Sequence, residues 1–327
     1  MLAFQIESRG AAPTLAQVAK PTPGQGEVLI RIAACGLNFA DRLMVSGDYQ
    51  DIPEPPFTLG MELAGTVEAV GDGVRGIGTG DRVAVFAGSG GLAEYGVFDA
   101  GRCVAIPDGM SMHEAAGFQV AYGTSHLALT RRARLQPGEL LVVLGAAGGV
   151  GLTAVELGKA LGARVAAVAR GPEKLAVAGA AGADHLIDSD SQDIRAEIKA
   201  LGGLDVLYDP VGGDQFGQAM RAARPQARLV VIGFASGDVP PVPANILLVK
   251  NIDVIGFYWG GYLKFSPVTL YESLADLFAM HARAQLRPHI SHVLPLSGAE
   301  EAIRLLSSRK ATAKIVVTMA NAAGGPG

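Results

Sequence analysis

The chain has few cysteines, few aromatic residues and few charges for its 327 residues. Its two cysteines, Cys35 and Cys103, cannot build a disulfide framework, and neither belongs to a Cys-x-x-Cys pair. This sparse use is typical of an intracellular protein, and we expect a cytoplasmic one. Charged residues make up 18%, the net charge is −4 and no strongly basic cluster occurs, which argues against nucleic acid as a partner.

Uninterrupted apolar runs are also scarce. The longest uncharged one, 140–155, is broken by glycines and bounded by Glu139 and Glu156, so a strand, a turn and a helix explain it better than a membrane span. The start, MLAFQIESRG, lacks the basic and apolar regions of a signal peptide. We therefore expect neither a membrane segment nor a secretory signal.

Glycine and hydrophobic residues, in contrast, are plentiful: there are 44 glycines, and 49% of the chain is hydrophobic. The length suits two domains. Up to about residue 115, short alternating β-branched segments such as 27–34, 63–70 and 81–86 are separated by turns rich in Gly and Pro. This pattern predicts a small, twisted, barrel-like β domain over residues 1–115.

The pattern changes near residue 112, where a helix over 112–132 is predicted. Apolar strands then alternate with amphipathic helices, which is typical of a parallel sheet covered on both faces. The predicted strands are 140–145, 164–169, 185–188, 205–209, 228–234 and 251–257, and the predicted helices are 149–161, 172–181, 191–201 and 214–223. Two helices, 267–284 and 298–307, and a strand, 314–319, follow. The prediction is an α/β fold in which a doubly wound Rossmann domain, 116–259, is inserted into a mainly β domain, 1–115 and 260–327.

The most informative segment is LLVVLGAAGGVGLTAVELGKAL, 140–161, where a buried strand runs directly into A-x-G-x-x-G. Glycine at 148 lets the backbone approach a pyrophosphate, glycine at 151 lets the helix pack close to the strand, and the helix start offers free N–H groups. These requirements predict a dinucleotide-binding turn, although a packing turn without ligand is the alternative. The predicted cofactor contacts on it are Ala147, Gly148, Gly149, Val150 and Gly151.

Cofactor choice depends on the end of the second strand, about 20 residues further on. An NAD enzyme places a carboxylate there for the ribose 2′-hydroxyl. This chain reads RVAAVARGPEK, so Arg170 occupies that place and Lys174 follows. Two cations suit a 2′-phosphate, and the sequence predicts NADPH; a solvated charge at a helix start is the alternative for Arg170.

Six motifs together resemble the quinone oxidoreductase (zeta-crystallin-like) branch of the medium-chain dehydrogenase/reductase superfamily. They are CGLNFADRLMVSGDY (35–49), PFTLGMELAGTVEAVG (56–71), AEY (93–95), AAGGVG (146–151), DVLYDPVGGD (205–214) and NILLVKN (245–251). The resemblance covers nearly the whole chain. It implies a GroES-like catalytic domain built from both chain ends, a central Rossmann domain, an active site in the cleft between them, and a homodimer paired through the Rossmann edge strand near 251–257.

The resemblance also implies a zinc-free site. Zinc-bearing members carry G-x-C-H-x-D and a histidine after Leu-Gly, whereas Asn38 and Met61 stand at the two ligand positions here. Neither an amide nor a thioether is a good zinc ligand. His289 and His292, in HISH, have no nearby Cys or carboxylate in sequence, so ordinary polar histidines are expected rather than metal ligands.

By the same resemblance, Asn38 lies beside the nicotinamide ribose and the substrate, and Tyr49 lies at the substrate cleft as the one candidate proton donor. Asn38 as a loop cap and Tyr49 as ordinary packing are the alternatives. Further implied cofactor contacts are Thr124, Ser189 (where the family often has Tyr), Gly233, Phe234, Ala235, Phe257, Trp259 and Lys310, with Lys314 as an alternative to Lys310. Trp259 can instead belong to the core or to a dimer interface.

The predicted function is metal-free, NADPH-dependent reduction of quinones or related electron-poor carbonyl compounds by direct hydride transfer. Two alternatives stay open. The first is reduction of an activated C=C bond in a 2-enone or an enoyl thioester, and the second is a non-catalytic NADPH-binding redox sensor or structural protein. The predicted partner is therefore a small molecule.

Overall fold

The computed structural model describes residues 1–308 and 311–319. The chain divides into two compact units. The terminal unit comprises Met1–Val120 and the chain from Pro288 onward, and the central unit is Ala121–Arg287.

Strands dominate the terminal unit. A three-stranded sheet has the order β2-β1-β4, and a seven-stranded sheet has the order β15-β16-β3-β5-β6-β8, with β7 paired to β3. The bounds are β1 Leu2–Ile6, β2 Thr14–Gln17, β3 Glu27–Leu37, β4 Phe57–Thr58, β5 Glu62–Val70, β6 Arg82–Phe86, β7 Tyr95–Asp99, β8 Cys103–Ala105, β15 Ile290–Pro295 and β16 Lys314–Thr318. The long strand β3 organises this sheet, because its first half pairs with β7 and its last four residues pair with β16.

Short helices close the terminal unit. They are α1 Phe39–Ser46, α2 Met112–Ala116, α11 Ala299–Ser308 and the 3-10 turns Ala100–Arg102 and Leu296–Gly298. Helix α1 ends at Gly47, which adopts φ 81°, a left-handed conformation that glycine reaches at low cost. Helix α2 begins with a capping box in which Ser111 and Glu114 bond to each other's backbone N–H groups.

The central unit is built on a six-stranded parallel sheet with the order β11-β10-β9-β12-β13-β14. The bounds are β9 Leu140–Leu144, β10 Arg164–Ala169, β11 His185–Asp188, β12 Leu204–Asp209, β13 Ala223–Val231 and β14 Asp253–Gly256. Counted within the unit, this is the order 3-2-1-4-5-6 of a dinucleotide-binding Rossmann fold. The predicted fold class is confirmed.

Helices accompany this sheet, and those that follow strands β9 to β13 directly in the chain pack against its strands. They are α3 Gln119–Leu127 with a π-helical turn Ala128–Arg132, α4 Gly149–Ala160, α5 Gly171–Ala180, α6 Ile194–Ala200, α7 Gly213–Arg221, α8 Ala244–Lys250, α9 Tyr262–Phe265 and α10 Pro267–Ala282. One core cluster joins strands β9 to β12 to helices α6 and α7 through residues such as Val142, Leu207 and Phe216. The near-continuous apolar strands are therefore explained by burial on both faces.

The second boundary between the units lies at 287/288 rather than at the predicted 259/260. The reason is that α10 packs within the central unit. Its Leu270 and Leu274 are fully buried, and Ser273 Oγ lies 2.7 Å from His126 Nδ1 on α3. The first boundary falls at 120/121, close to the predicted 115/116.

Local differences have identifiable causes. The predicted helix 112–132 is interrupted at Gly117, which ends α2 by donating its N–H to His113 O and Glu114 O. Strand β15 begins at Ile290 and contains the last three residues of the HISH segment, for which the sequence predicted no element. Among the described residues, no helix has the length and apolarity needed to cross a bilayer.

Candidate functional site

The dinucleotide turn, residues 145–151, follows β9 and begins α4. Gly145 adopts φ 58°, and Ala146 N–H donates to Val168 O of the neighbouring strand at 3.0 Å. A Cβ built on Gly151 would lie 2.2 Å from Gly145 O, so only glycine permits this approach of helix and strand. Gly148 is exposed and is the N-cap of α4 without a side-chain cap. The first-turn N–H groups of α4 therefore have no side-chain cap, an arrangement at which proteins commonly bind anions.

All five predicted contacts of the dinucleotide turn lie together on this turn. Gly149 and Val150 are half-buried, whereas Ala147 and Gly151 are buried. Two hydroxyl groups hold the carbonyl of Val150: Val150 O accepts hydrogen bonds from Ser125 Oγ and from Thr153 Oγ1, each at 3.0 Å. Tyr208 Oη lies 3.0 Å from Ser125 Oγ and extends this hydroxyl cluster into β12. The sequence does not reveal this hydroxyl cluster, because Ser125 and Tyr208 are 83 positions apart.

Arg170 directly follows β10, the strand next to β9, and is the N-cap residue of α5. Its Nε lies 3.2 Å from Asp190 Oδ1, and both side chains are more than half exposed. Lys174 is half-buried on α5, and Ser189 follows β11, with its N–H donating to Ala169 O at 3.0 Å. Arg170 and Ser189 therefore follow two adjacent strands, β10 and β11, whereas Lys174 lies on α5.

Asp188, the last residue of β11, connects the segments that follow β10 and β11 through hydrogen bonds. Its carboxylate accepts from Gly171 N–H at 2.9 Å and also from Asp190 N–H and Ser191 Oγ. The Gly171 N–H bond, followed by the others, lowers the pKa of Asp188 below its ordinary value. The Asp188 carboxylate thus stabilises the turn between β10 and α5 by accepting a hydrogen bond from its backbone.

Gly233, Phe234 and Ala235 form the loop after β13, which Asp209 at the end of β12 holds. Asp209 O accepts from Ile232 N–H and Gly233 N–H, at 2.8 and 3.3 Å. Its Oδ1 accepts from Val211 and Gly212, whereas Oδ2 is buried and has no hydrogen-bond partner among the described residues. Burial raises the pKa of Asp209 to about 6, against the lowering effect of the two N–H groups.

Thr124, Phe257 and Trp259 are all buried in the central unit. The indole of Trp259 lies against α3, since a Cβ on Gly123 would come within 2.6 Å of the ring. The Phe257 and Tyr262 rings are 5.8 Å apart. The burial of Trp259 agrees with the alternative of a core side chain, and its contact with the cofactor stays a prediction.

In the terminal unit, Asn38 belongs to a buried polar group that we call the Asn38 cluster: Asn38, Asp41, Glu62 and Lys314. Asn38 is the N-cap residue of α1, and its N–H donates to Asp41 Oδ2 at 2.8 Å. Its Nδ2 donates to Glu62 Oε1 at 2.9 Å, and its Oδ1 accepts from Lys314 Nζ at 2.8 Å. Lys314 Nζ also donates to Glu62 Oε1 at 2.7 Å.

Burial dominates the electrostatics of the Asn38 cluster. It raises the pKa of Asp41 to about 7, opposed by the Asn38 N–H and the Lys314 ammonium. Burial also raises the pKa of Cys35 well above its ordinary value, which keeps a neutral thiol beside the cluster. Lys314, which the resemblance offers as an alternative to Lys310 for contact with the cofactor phosphates, donates its three protons to Leu37 O, Asn38 Oδ1 and Glu62 Oε1.

The sequence predicts a site role for Asn38 but does not reveal Asp41, Glu62 and Lys314 as its partners. One signal was present: Glu62 and Lys314 each stand in an otherwise apolar stretch, GMELAG and KIVVT. A charge in a buried strand needs a partner, and these two charges are partners.

Tyr49, Met61 and His292 are further residues of the terminal unit that the sequence singles out and the structure describes. Tyr49 is half-buried, two residues beyond Gly47. Met61 is buried beside Glu62. Within residues 1–308 and 311–319, no three His, Cys, Asp or Glu side chains are grouped to hold a metal ion. His292 Nδ1 lies 2.9 Å from Ser291 Oγ, and Lys310 lies outside the described residues.

Comparisons with known proteins agree with a β-rich terminal unit and a Rossmann-type central unit. Residues 24–108 match the alcohol dehydrogenase GroES-like domain, and residues 149–278 match the zinc-binding dehydrogenase family. The quinone oxidoreductase-like protein 2 homolog of Nematostella vectensis is 38% identical over 300 residues, which cover 90% of this chain and 82% of that protein.

Two solved structures are similar over nearly the whole chain. The quinone oxidoreductase of Thermus thermophilus, described with its NADPH complex, has 36% identity and a TM-score of 0.85, covering 97% of this chain and 100% of that one. The Escherichia coli quinone oxidoreductase complexed with NADPH has 28% identity and a TM-score of 0.87, covering 97% and 99%. The chain belongs to the quinone oxidoreductase branch of the medium-chain dehydrogenase/reductase superfamily.

Proposed function

We propose that the protein reduces quinones or related electron-poor carbonyl compounds with NADPH, by direct hydride transfer and without a metal. The observation that carries this proposal is the pairing of the uncapped start of α4 on the dinucleotide turn with Arg170 at the end of the adjacent parallel strand. The NADPH complexes of the Thermus thermophilus and Escherichia coli relatives support the same cofactor.

The residues present fit a dinucleotide phosphate. In the proposed binding mode the N–H groups of Gly149, Val150 and Gly151 bind the pyrophosphate, because the start of α4 has no side-chain cap and exposed Gly148 has no side chain to obstruct it. Arg170 and Lys174 supply the charge for a 2′-phosphate. The exposed Arg170–Asp190 pair is worth little in water, so a phosphate displaces Asp190 at low cost. When bound, NADPH supplies the hydride.

Donor chemistry supports the metal-free part of the proposal. The amide of Asn38 and the thioether of Met61 replace the two ligand positions of zinc-bearing members. An amide N–H can instead donate to a substrate oxygen that gains negative charge as it is reduced. Tyr49 is the proposed proton donor for substrates that need one, whereas a reduced quinone takes its protons from water.

We further propose a homodimer through β14. In the described part of the central sheet, β14 pairs only with β13 and forms its edge. Helix α8 precedes this strand and exposes 79% of Leu248 and 77% of Val249. Replacing both with Asp should convert a dimeric mass in light scattering to a monomeric one; an unchanged mass would contradict this interface.

The activity is tested by NADPH oxidation with 1,4-benzoquinone, 9,10-phenanthrenequinone, an alkenal and crotonyl-CoA as acceptors. We expect quinone turnover well above the rates with the two alkenes. Fast turnover of an alkene with quinone rates at background would replace the proposal with reduction of an activated C=C bond. Tight NADPH binding without turnover of any acceptor would indicate a binding protein.

The cofactor preference is tested with Arg170→Ala plus Lys174→Ala. We expect the Kd for NADPH to rise about tenfold or more and the Kd for NADH to stay unchanged, because only NADPH carries the 2′-phosphate. Arg164→Ala is the matched control, since Arg164 is exposed at the opposite end of β10. An unchanged ratio of NADPH to NADH affinity would overturn the assignment of Arg170.

A further inference from the structure

We propose that Lys314 and Glu62 are positioning residues, whose buried ion pair fixes the Asn38 amide so that one N–H is presented to the substrate oxygen. This inference rests on the proposed function, in which Asn38 contacts the substrate. It assigns Lys314 a role in orienting that contact and no role in binding the cofactor phosphates.

The ammonium of Lys314 is fully engaged inside the terminal unit. Its three hydrogen bonds reach Leu37 O at 2.8 Å, Asn38 Oδ1 at 2.8 Å and Glu62 Oε1 at 2.7 Å. An ammonium group has three protons, so none is left for another acceptor. The side chain is 7% exposed and that of Glu62 is fully buried.

Glu62 is held from a second element as well. Its Oε2 accepts from the N–H of Val120, at 2.9 Å, near the start of α3. The carboxylate is therefore fixed through one oxygen to the backbone and through the other to Lys314 and Asn38. A rotation of Glu62 would break three hydrogen bonds.

These neighbours determine which way the Asn38 amide points. Oδ1 must face the ammonium and Nδ2 must face the carboxylate, because the flipped amide would place N–H groups against N–H groups. Asn38 Nδ2 lies 2.9 Å from Glu62 Oε1, which accepts one of its protons. The other proton has only Gly36 O as an acceptor, at an Nδ2–O distance of 3.5 Å. That second proton is poorly bonded and is the one a substrate oxygen can take over.

The charge of Lys314 also matters for the strength of this donor. An ammonium on Oδ1 polarises the amide, and hydrogen bonds in such a chain strengthen one another in a buried site. The second N–H of Asn38 thereby becomes a better donor toward an oxygen that gains negative charge. A role in catalysis, beyond a role in folding, follows from this polarisation.

The test uses the full chain with Glu62→Gln plus Lys314→Met, which removes both charges together, nearly preserves volume and keeps an acceptor for Val120 N–H. Lys20→Met plus Glu68→Gln is the matched control, because this pair has the same residue types in the same unit but is exposed. Each protein is assayed for kcat and KM with 1,4-benzoquinone and for the Kd of NADPH.

We expect the Glu62/Lys314 variant to bind NADPH within twofold of wild type and to lose about ten- to a hundredfold in kcat. The control should retain all three constants within twofold. A folded Glu62/Lys314 variant with kcat within twofold of wild type would overturn the proposal.

An NMR measurement of the Asn38 side-chain amide tests its orientation directly and does not require enzyme activity. The chain has four asparagines, so selective ¹⁵N-asparagine labelling gives a short set of side-chain amide signals, and Asn38→Asp identifies the Asn38 pair. We expect one Asn38 proton to be shifted downfield in wild type and to lose that shift in the Glu62/Lys314 variant but not in the control. An Asn38 pair that does not move would overturn the positioning role. Absence of any quinone turnover by wild type would overturn the proposed function alone.

Discussion

The dinucleotide turn and the Asn38 cluster are stabilised in opposite ways. The turn depends on missing side chains: Gly151 allows a helix to touch a strand, and exposed Gly148 leaves room at the start of α4. The Asn38 cluster depends on side chains that are costly to bury, an ammonium and two carboxylates inside a β unit. The dinucleotide turn thus depends on free space, and the Asn38 cluster depends on paired charges.

The dinucleotide turn and the Asn38 cluster should respond differently to mutation. A backbone site loses function when atoms are added, because space is what it provides. A buried ionic site fails when one partner is removed, because the remaining charge has no water to solvate it.

The largest effect is expected for Lys314→Met alone. It leaves the Glu62 carboxylate buried without its cation, which costs about 3–5 kcal/mol of unfolding free energy in the terminal unit. Lys20→Met, in the exposed Lys20–Glu68 pair, should cost about 1 kcal/mol or less. Urea unfolding, with hydrogen exchange of the β3 amides to report on this unit, measures both. Equal losses for the two variants would remove the distinction between buried and exposed pairs.

The second effect is a pH dependence at Asp41. Its folded-state pKa is raised from 3.8 to about 7 by burial, against the Asn38 N–H and Lys314, while the Glu62 carboxylate adds to the rise. A raised carboxyl pKa favours the folded state below about pH 4, and this contribution is lost as the pH rises toward 7. Asp41→Asn should therefore gain stability relative to wild type between these values, by at most about 1.4 kcal/mol per pH unit.

Urea unfolding of wild type and Asp41→Asn at pH 5, 6, 7 and 8 checks this dependence. The Asn38 N–H keeps an acceptor in the variant, so the comparison isolates the ionisation of Asp41. Parallel stability curves across this range would contradict a raised pKa.

The comparison also explains what the sequence could reveal. The strand, turn and helix at 140–161 were predicted correctly, because their determinants are contiguous in the sequence; the cofactor contacts on the turn stay a prediction. The parallel sheet was predicted for a related reason, since strands buried on both faces are continuous apolar runs.

The Asn38 cluster was only partly predictable, because its partners are far apart in sequence. Asn38 and Lys314 are separated by 276 positions, and Glu62 and Lys314 by 252. A lone Lys at the start of an apolar strand is compatible with a phosphate contact until β16 is seen to pair with β3. The second boundary was missed for a similar reason, as the place of α10 is decided by buried contacts with α3.

The smallest effect separates the two glycines of the turn. Gly151→Ala places a Cβ 2.2 Å from Gly145 O, a backbone atom that cannot rotate away, so we expect a loss of about 1–3 kcal/mol in stability together with weaker NADPH binding. Gly148→Ala meets Gly145 O at 3.2 Å and has φ −79°, which alanine adopts freely. Stability should then change by about 0.5 kcal/mol or less, while the added methyl group weakens NADPH binding.

Thermal unfolding and the Kd for NADPH, measured on both variants and on Gly78→Ala as a control with open space around its Cβ, distinguish the two roles. If Gly148→Ala bound NADPH as tightly as wild type, the pyrophosphate would not approach this turn. The uncapped start of α4 would then have to be explained by packing alone, yet packing gives no reason for exposed Gly148. The contrast between the two glycines therefore tests whether the turn binds a ligand or only joins a strand to a helix.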